Sequence, residues 1–270
     1  MDVVARHNVT LTGPADGQPM LFAHGFGCDQ NMWRLVAPAF AETHRVILFD
    51  HIGAGGSDLA AYDVERYSTL QGYADDVVAI CEQLDLRDVV FVGHSVSAMI
   101  GVLAELRDPD LFAALVLVGP SPRYVDDPPY VGGFSEEDIH GLLDSMAGNY
   151  LGWSSAMAPN IMGNPDRPEL GQELTESFCR SDPDIASRWA RATFFSDTRT
   201  ELSRVSTPTL VLQCSSDLIA PEVVGEYVRD QIPTSSYRLL RATGHCPNLS
   251  APDETTLAIR DFLEDGLVPA

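Results

Sequence analysis

The run Val89-Val90-Phe91-Val92-Gly93-His94-Ser95-Val96-Ser97 constrains this chain more than any other stretch. An unbroken apolar segment of strand length leads into a small residue, a serine follows two places later, and a second small residue lies two places beyond it. A fully buried strand reads this way, and small residues flanking Ser95 permit a tight strand-to-helix turn that lifts the hydroxyl above a sheet. The usual form of such a turn is G-x-S-x-G, from which Ser97 departs. Taken alone, the motif leaves a lesser alternative, an ordinary serine in a helix-capping turn.

Elsewhere, apolar runs of strand length alternate with longer segments of helical period, the pattern of a mostly parallel sheet with helices on both faces. The spacing predicts strands at Met20–Ala23, Arg45–Phe49, Val89–Val92, Ala114–Val118, Thr209–Gln213 and Ser236–Leu240, with an antiparallel edge from Val3–Leu11. Helices are predicted at Tyr73–Leu84, Pro221–Ile232 and Asp253–Leu263, each with one apolar face. Between about residues 121 and 197 the rhythm breaks and four amphipathic helices replace strands. Ser135 and Asp138 form a capping-box pattern ahead of Ile139, Leu142, Leu143 and Met146, and a shorter helix covers Tyr150–Met157. Leu170, Leu174 and Phe178 follow at spacings of four, and Asp182-Pro183 caps a last helix carrying Ile185, Trp189 and Ala192. The expected organisation is a core of residues 1–120 and 198–270 with a helical cap, 121–197, inserted in it.

A formal net charge of -22 repels phosphate backbones and anionic lipid head groups, so neither nucleic acid nor a membrane surface is an expected partner. Every basic residue is an arginine, which removes Schiff-base lysine chemistry, the Walker A lysine and any Ser-Lys mechanism. Cys28, Cys81, Cys179, Cys214 and Cys246 are odd in number and contain no C-x-x-C, which argues against a disulfide framework or zinc site and suits a cytoplasmic location. The start, Met1-Asp2-Val3-Val4, has no basic leader, and apolar runs fall far short of the roughly 18 residues of a membrane span.

A serine becomes a nucleophile only with a base in hydrogen-bond reach and an acid orienting that base. His245 stands in Thr243-Gly244-His245-Cys246-Pro247, just after the last strand candidate, and Asp217 follows the strand Thr209–Gln213. Each could be an ordinary loop residue, but the chain order Ser95, Asp217, His245 is that of an α/β-hydrolase fold and of neither chymotrypsin nor subtilisin. His24-Gly25-Phe26-Gly27, after the first parallel strand, is a loop suited to an oxyanion hole, with the backbone N–H groups of Phe26 and Val96 as donors. Gly53-Ala54-Gly55-Gly56-Ser57-Asp58 formally matches G-x-G-x-x-D, but it neither follows the first strand nor opens a helix, so it reads as a structural loop. Cys28 and Cys246 read as small packing residues beside the proposed catalytic elements.

Gly93-His94-Ser95-Val96-Ser97-Ala98-Met99-Ile100-Gly101, with Ser121-Pro122-Arg123-Tyr124, Gly132-Gly133-Phe134 and Pro183-Asp184-Ile185-Ala186, resembles the RsbQ-type α/β-hydrolases. That group comprises a bacterial stress-signalling hydrolase and the plant karrikin and strigolactone receptors, and Ser97 is the residue expected within it. The resemblance implies an eight-stranded-type sheet and a V-shaped cap of four helices above a deep apolar pocket, with the triad at its floor. By position it implies pocket residues Phe26, Tyr124, Phe134, Leu142, Trp153 and Phe194, with Met157 and Leu174 where the plant receptors usually carry aromatics.

The expected function is hydrolysis of a small, largely apolar ester or lactone through an acyl-enzyme on Ser95, without metal or cofactor. A ligand-sensing hydrolase acting with a protein partner, which by the resemblance would be a PAS-domain phosphatase, uses the same triad. So does carbon-carbon bond hydrolysis, for which Arg123, Arg167, Arg188 and Arg191 are available to hold a carboxylate.

Overall fold

The computed structural model describes residues 2–265, so residue 1 and residues 266–270 of the expected core lie outside the described residues. The strands are β1 (Thr10–Thr12), β2 (Gln18–Ala23), β3 (His44–Leu48), β4 (Val89–His94), β5 (Phe112–Val118), β6 (Thr209–Ser216) and β7 (Ser235–Thr243). The helices are α1 (Val3–Arg6), α2 (Leu70–Gln83), α3 (Val96–Arg107), α4 (Glu136–Gly148), α5 (Tyr150–Met162), α6 (Pro168–Cys179), α7 (Pro183–Phe194), α8 (Arg199–Leu202), α9 (Glu222–Gln231), α10 (Pro247–Ser250) and α11 (Pro252–Asp265).

The strands form one seven-stranded sheet in the order β1-β3-β2-β4-β5-β6-β7, parallel throughout except for β1 against β3. Alternation along each strand feeds two cores. Met20, Phe22, Val46, Val90 and Val116 pack with Trp33 and Phe262 on one face, while Leu21, Ile47, Phe91 and Leu115 pack with Tyr73, Val77 and Met99 on the other. Every residue of β4 is buried, which places the strand leading to Ser95 in the middle of the molecule.

Two expectations need correction. The stretch from Val3 is not a continuous edge strand, because the Asp2 carboxylate accepts from the Val4 and Ala5 N–H groups and starts α1; only Thr10–Thr12 pairs, and the described sheet has seven strands. The helix from Tyr150 does not stop at Met157 but runs to Met162 with Pro159 inside it. A proline there removes one helical hydrogen bond, and packing compensates, since α6 lies along α5 with Gly171 brought against Pro159.

Helices α4 to α7 all fall between β5 and β6, and the Ser135–Asp138 capping box and the Asp182 cap form as their sequences suggest. Ile139, Met146, Trp153, Leu174, Phe178 and Phe194 from these helices join the same buried cluster as Met20 and Val90. The helical insertion is therefore built onto the sheet's core. No helix among the described residues is long and apolar enough to cross a membrane.

Candidate active site

The carboxyl ends of β2, β4, β6 and β7 carry the residues singled out above. Ser95 sits between β4 and α3 at φ 58°, ψ -124°, a conformation costing an ordinary residue about 1–3 kcal/mol. Neighbouring structure imposes it: the Ser95 N–H donates to the Val118 carbonyl at 2.8 Å, and the Ser95 carbonyl accepts from the Ala98 N–H at 2.9 Å as α3 begins. The hydroxyl is spared from capping the helix and lies 2.7 Å from His245 Nε2.

His245 Nδ1 lies 2.7 Å from Asp217 Oδ2. The other carboxylate oxygen, Oδ1, accepts from the Ile219 and Ala220 N–H groups at 2.8 and 3.1 Å, which fixes the carboxylate's orientation. An ionised carboxylate only accepts, so the imidazole proton belongs on Nδ1 and Nε2 is free to take a proton from Ser95. The His245 backbone is also held on both sides: its N–H donates to the Ile161 carbonyl at 2.8 Å, and its carbonyl accepts from His94 Nε2 at 2.7 Å. Gly244, at φ 80°, lets the Met162 carbonyl approach where a Cβ would collide. Burial, with His245 close by, pushes His94 down to about 3, so it stays neutral and serves as a donor.

The Phe26 N–H has no partner among the described residues, and the Val96 N–H is the first of α3, where no intrahelical acceptor exists. The loop carrying Phe26 comes so close to the elbow that a Cβ on Gly25 would stand 2.6 Å from His94 Nδ1 and 3.3 Å from Ser95 Cβ. Ser97, the departure from the usual motif, ties the two together: its hydroxyl donates to the His24 carbonyl at 2.5 Å and accepts from His51 Nε2 at 2.8 Å. The His51 N–H donates to His24 Nε2 at 3.1 Å, which leaves His24 Nδ1 to donate to the Gly25 carbonyl at 2.9 Å. Sequence reasoning named His24 only as part of the oxyanion loop and gave His51 no role, and their only signal was that His24 directly follows a predicted strand and His51 follows one after Asp50. The loop after His51 folds around Asp50, whose carboxylate accepts from Asn8 Nδ2 and the Gln30 and Gly56 N–H groups, each at 2.8 Å.

Ser95 and His245 open onto a narrow cavity of about 30 Å³. Of the expected pocket residues, Phe26, Tyr124, Leu174 and Phe194 line it, whereas Phe134, Leu142, Trp153 and Met157 do not. Trp153 is withheld by Phe178, which stacks on it with ring centroids 5.6 Å apart and takes its place in the wall. Ile161, Phe178, Thr193, Ile219, Cys28 and Cys246 line the cavity without having been singled out as pocket residues. Burial pushes the Cys28 thiol up to about 12 and Cys246 well above its ordinary value, so both remain neutral thiols. None of the four arginines considered for a carboxylate lines the cavity. Arg123 pairs with Asp197 at 2.9 Å, Arg167 donates to the Ser250 carbonyl at 2.7 Å, and Arg188 and Arg191 face a separate groove.

A strained serine after the central parallel strand, facing a histidine delivered from the end of the last strand, is matched by wider similarity: the model of the Alpha/beta hydrolase family covers residues 20–258. The chain belongs to the alpha/beta hydrolase family. Among relatives, it is 42% identical over 248 residues to Karrikin insensitive 2 receptor CA of Petunia hybrida, covering 92% of each chain. It is 39% identical over 257 residues to a strigolactone esterase of Arabidopsis thaliana, covering 95% of this chain and 96% of that protein. The solved structure of a hydrolase from Oleispira antarctica superposes with a TM-score of 0.95 at 42% identity, over 98% of this chain and 97% of that one. As an alpha/beta hydrolase with named esterases among its close relatives, the protein is a hydrolytic enzyme.

Proposed function

We propose that this alpha/beta hydrolase cleaves a small, largely apolar ester or lactone, with Ser95 as nucleophile, His245 as general base and acid, and Asp217 as the group that orients His245. The observation that carries the reading is the pair of 2.7 Å contacts, Ser95 to His245 and His245 to Asp217, meeting at a mostly apolar cavity. Attack by the Ser95 Oγ on the substrate carbonyl transfers its proton to His245 Nε2, and Asp217 stabilises the imidazolium. The developing oxyanion takes hydrogen bonds from the Phe26 and Val96 N–H groups. His245 returns the proton to the leaving alkoxide, an acyl group stays on Ser95, and a water activated by His245 releases the acid.

The cavity holds no more than one or two waters by volume, so a substrate enters only as the insertion yields. We therefore assign residues 121–197 as a cap over a core formed by the chain on either side. Ion pairs Arg34–Glu173 and Arg180–Asp29, at 2.6 and 3.1 Å, span from α6 to the segment after the oxyanion loop and would part as the cap opens. The receptor name of the petunia relative supports a second reading, a ligand-sensing hydrolase; the protein partner that goes with this reading, a PAS-domain phosphatase, rests on the resemblance to the RsbQ-type hydrolases alone.

Intact-mass spectrometry after incubation with p-nitrophenyl esters and butenolide lactones tests the first reading. Turnover or an acyl adduct in the wild type, lost in Ser95→Ala, is the expected result. Equal turnover by the two proteins overturns it.

A further inference from the structure

Several hydroxyl residues within the helices of the insertion have a hydrogen-bond partner, and Ser177 reaches the Gly27 carbonyl at 2.9 Å. Ser154 donates to the Tyr150 carbonyl at 2.8 Å, Ser155 to Leu151 at 2.9 Å and Thr175 to Gly171 at 2.9 Å, each reaching back one helical turn. Thr193 in α7 does not. It is 2% exposed, its Oγ1 has no hydrogen-bond partner, and it lines the Ser95 cavity. Tyr124, 1% exposed and contributed from the segment after β5, presents a second unpartnered hydroxyl to the same cavity.

Buried hydroxyls are nearly always hydrogen-bonded, because removing one from water without a replacement partner costs free energy. An unpaired hydroxyl in a cavity wall also rejects ligands that offer it nothing, while favouring those that supply an oxygen. The rest of the wall, apart from Ser95 and the two histidines His94 and His245, is aromatic, aliphatic or thiol. Thr193 comes from α7, whereas Ser95 rises from the sheet at the start of α3.

We propose that Thr193 is a specificity-determining residue, selecting esters or lactones that carry a second oxygen, as an ether, carbonyl or hydroxyl, on the side of the substrate facing α7. The proposal rests on the serine-hydrolase reading above and adds the substrate class to it.

The test compares p-nitrophenyl 3-methoxypropanoate with p-nitrophenyl pentanoate, which differ by one oxygen in place of one methylene. The ratio of their kcat/KM values should fall about five- to tenfold in Thr193→Val, which keeps the side-chain shape, and survive in Thr193→Ser, which keeps the hydroxyl. An unchanged ratio in Thr193→Val, or an equal fall for both esters, overturns the proposal. If the wild type cleaves neither ester, the hydrolase reading fails separately, and selectivity is then read by calorimetric binding of methyl 3-methoxypropanoate and methyl pentanoate to Ser95→Ala. A preference for the methoxy ester that Thr193→Val abolishes supports the assignment, and the same affinity ratio with and without Thr193→Val rejects it.

Discussion

Helices α3 and α6 have the same length but are buried in different ways. Ten of the twelve residues of α3 are buried, while α6 buries three of twelve, Gly171, Leu174 and Phe178. A helix enclosed nearly all round cannot shift without breaking many contacts, which suits the helix that starts at Ser95. A helix attached by one stripe can move as a unit once a few large side chains let go. Phe178 is the chief of these on α6, since its ring touches Phe26 of the oxyanion loop with centroids 5.9 Å apart and stacks on Trp153. The difference suggests that chemistry resides in the rigid layer and access in the attached one.

If that division holds, Ser95→Ala and His245→Ala should lower ester turnover by about 10⁴- to 10⁶-fold while leaving the thermal midpoint nearly unchanged. A large loss of stability would place the serine among structural residues instead. Asp217→Asn should cost about 10⁴-fold in kcat by removing the acceptor that fixes the His245 tautomer, measured on the same esters. On the insertion side the effect should move from rate to stability. Phe178→Ala removes a buried aromatic side chain and should cost about 3–5 kcal/mol in urea unfolding, and a loss confined to kcat would contradict the assignment of α6 to access.

Acid sharpens the comparison further. His7, His24, His51 and His94 are all buried in the sheet layers, and burial lowers the pKa of each. Their neutral forms belong to the folded state, so their contribution is complete above the ordinary value of 6.5 and is lost as pH falls toward the folded value, about 3 for His94. Each should cost up to about 1.4 kcal/mol per pH unit within that window. Urea midpoints measured from pH 7 to pH 4 should therefore fall, and near-ultraviolet signals from Tyr73 and Trp33 should report the sheet layers loosening. At the small end, Arg34→Ala breaks an exposed ion pair between the layers and should change stability by no more than about 0.5 kcal/mol. A larger change in guanidinium or urea titrations would mean that α6 is fastened by charge and not by Phe178.

Much of the sheet and its elbow was legible from sequence, because a fully buried strand admits only apolar residues and a tight strand-to-helix turn admits only small neighbours. The caps at Ser135 and Asp182 were equally readable, since capping is settled within a few residues. Local chemistry also explains the misreading of Val3–Leu11, where the Asp2 cap outweighs a β-like composition. Ser97 stood out as a departure, but its bonds to His24 and His51 join residues 73 and 46 positions apart, and no local pattern reports them. The pocket was read least well. Leu142, Trp153 and Met157 lie on the right helices, yet Phe178, Ile161 and Thr193 make the wall.

The amino-acid order by itself determined the alternation of strands and helices, the position of the serine turn and the sequence of serine, acid and histidine, because each depends on neighbours along the chain. Folding in three dimensions decided which side chains of each apolar stripe meet the cavity, and brought Asp217 and His245 into line with Ser95. A helix's periodicity specifies a face but not the angle at which that face crosses another, and strands far apart in the chain acquire adjacent ends only when the sheet is assembled.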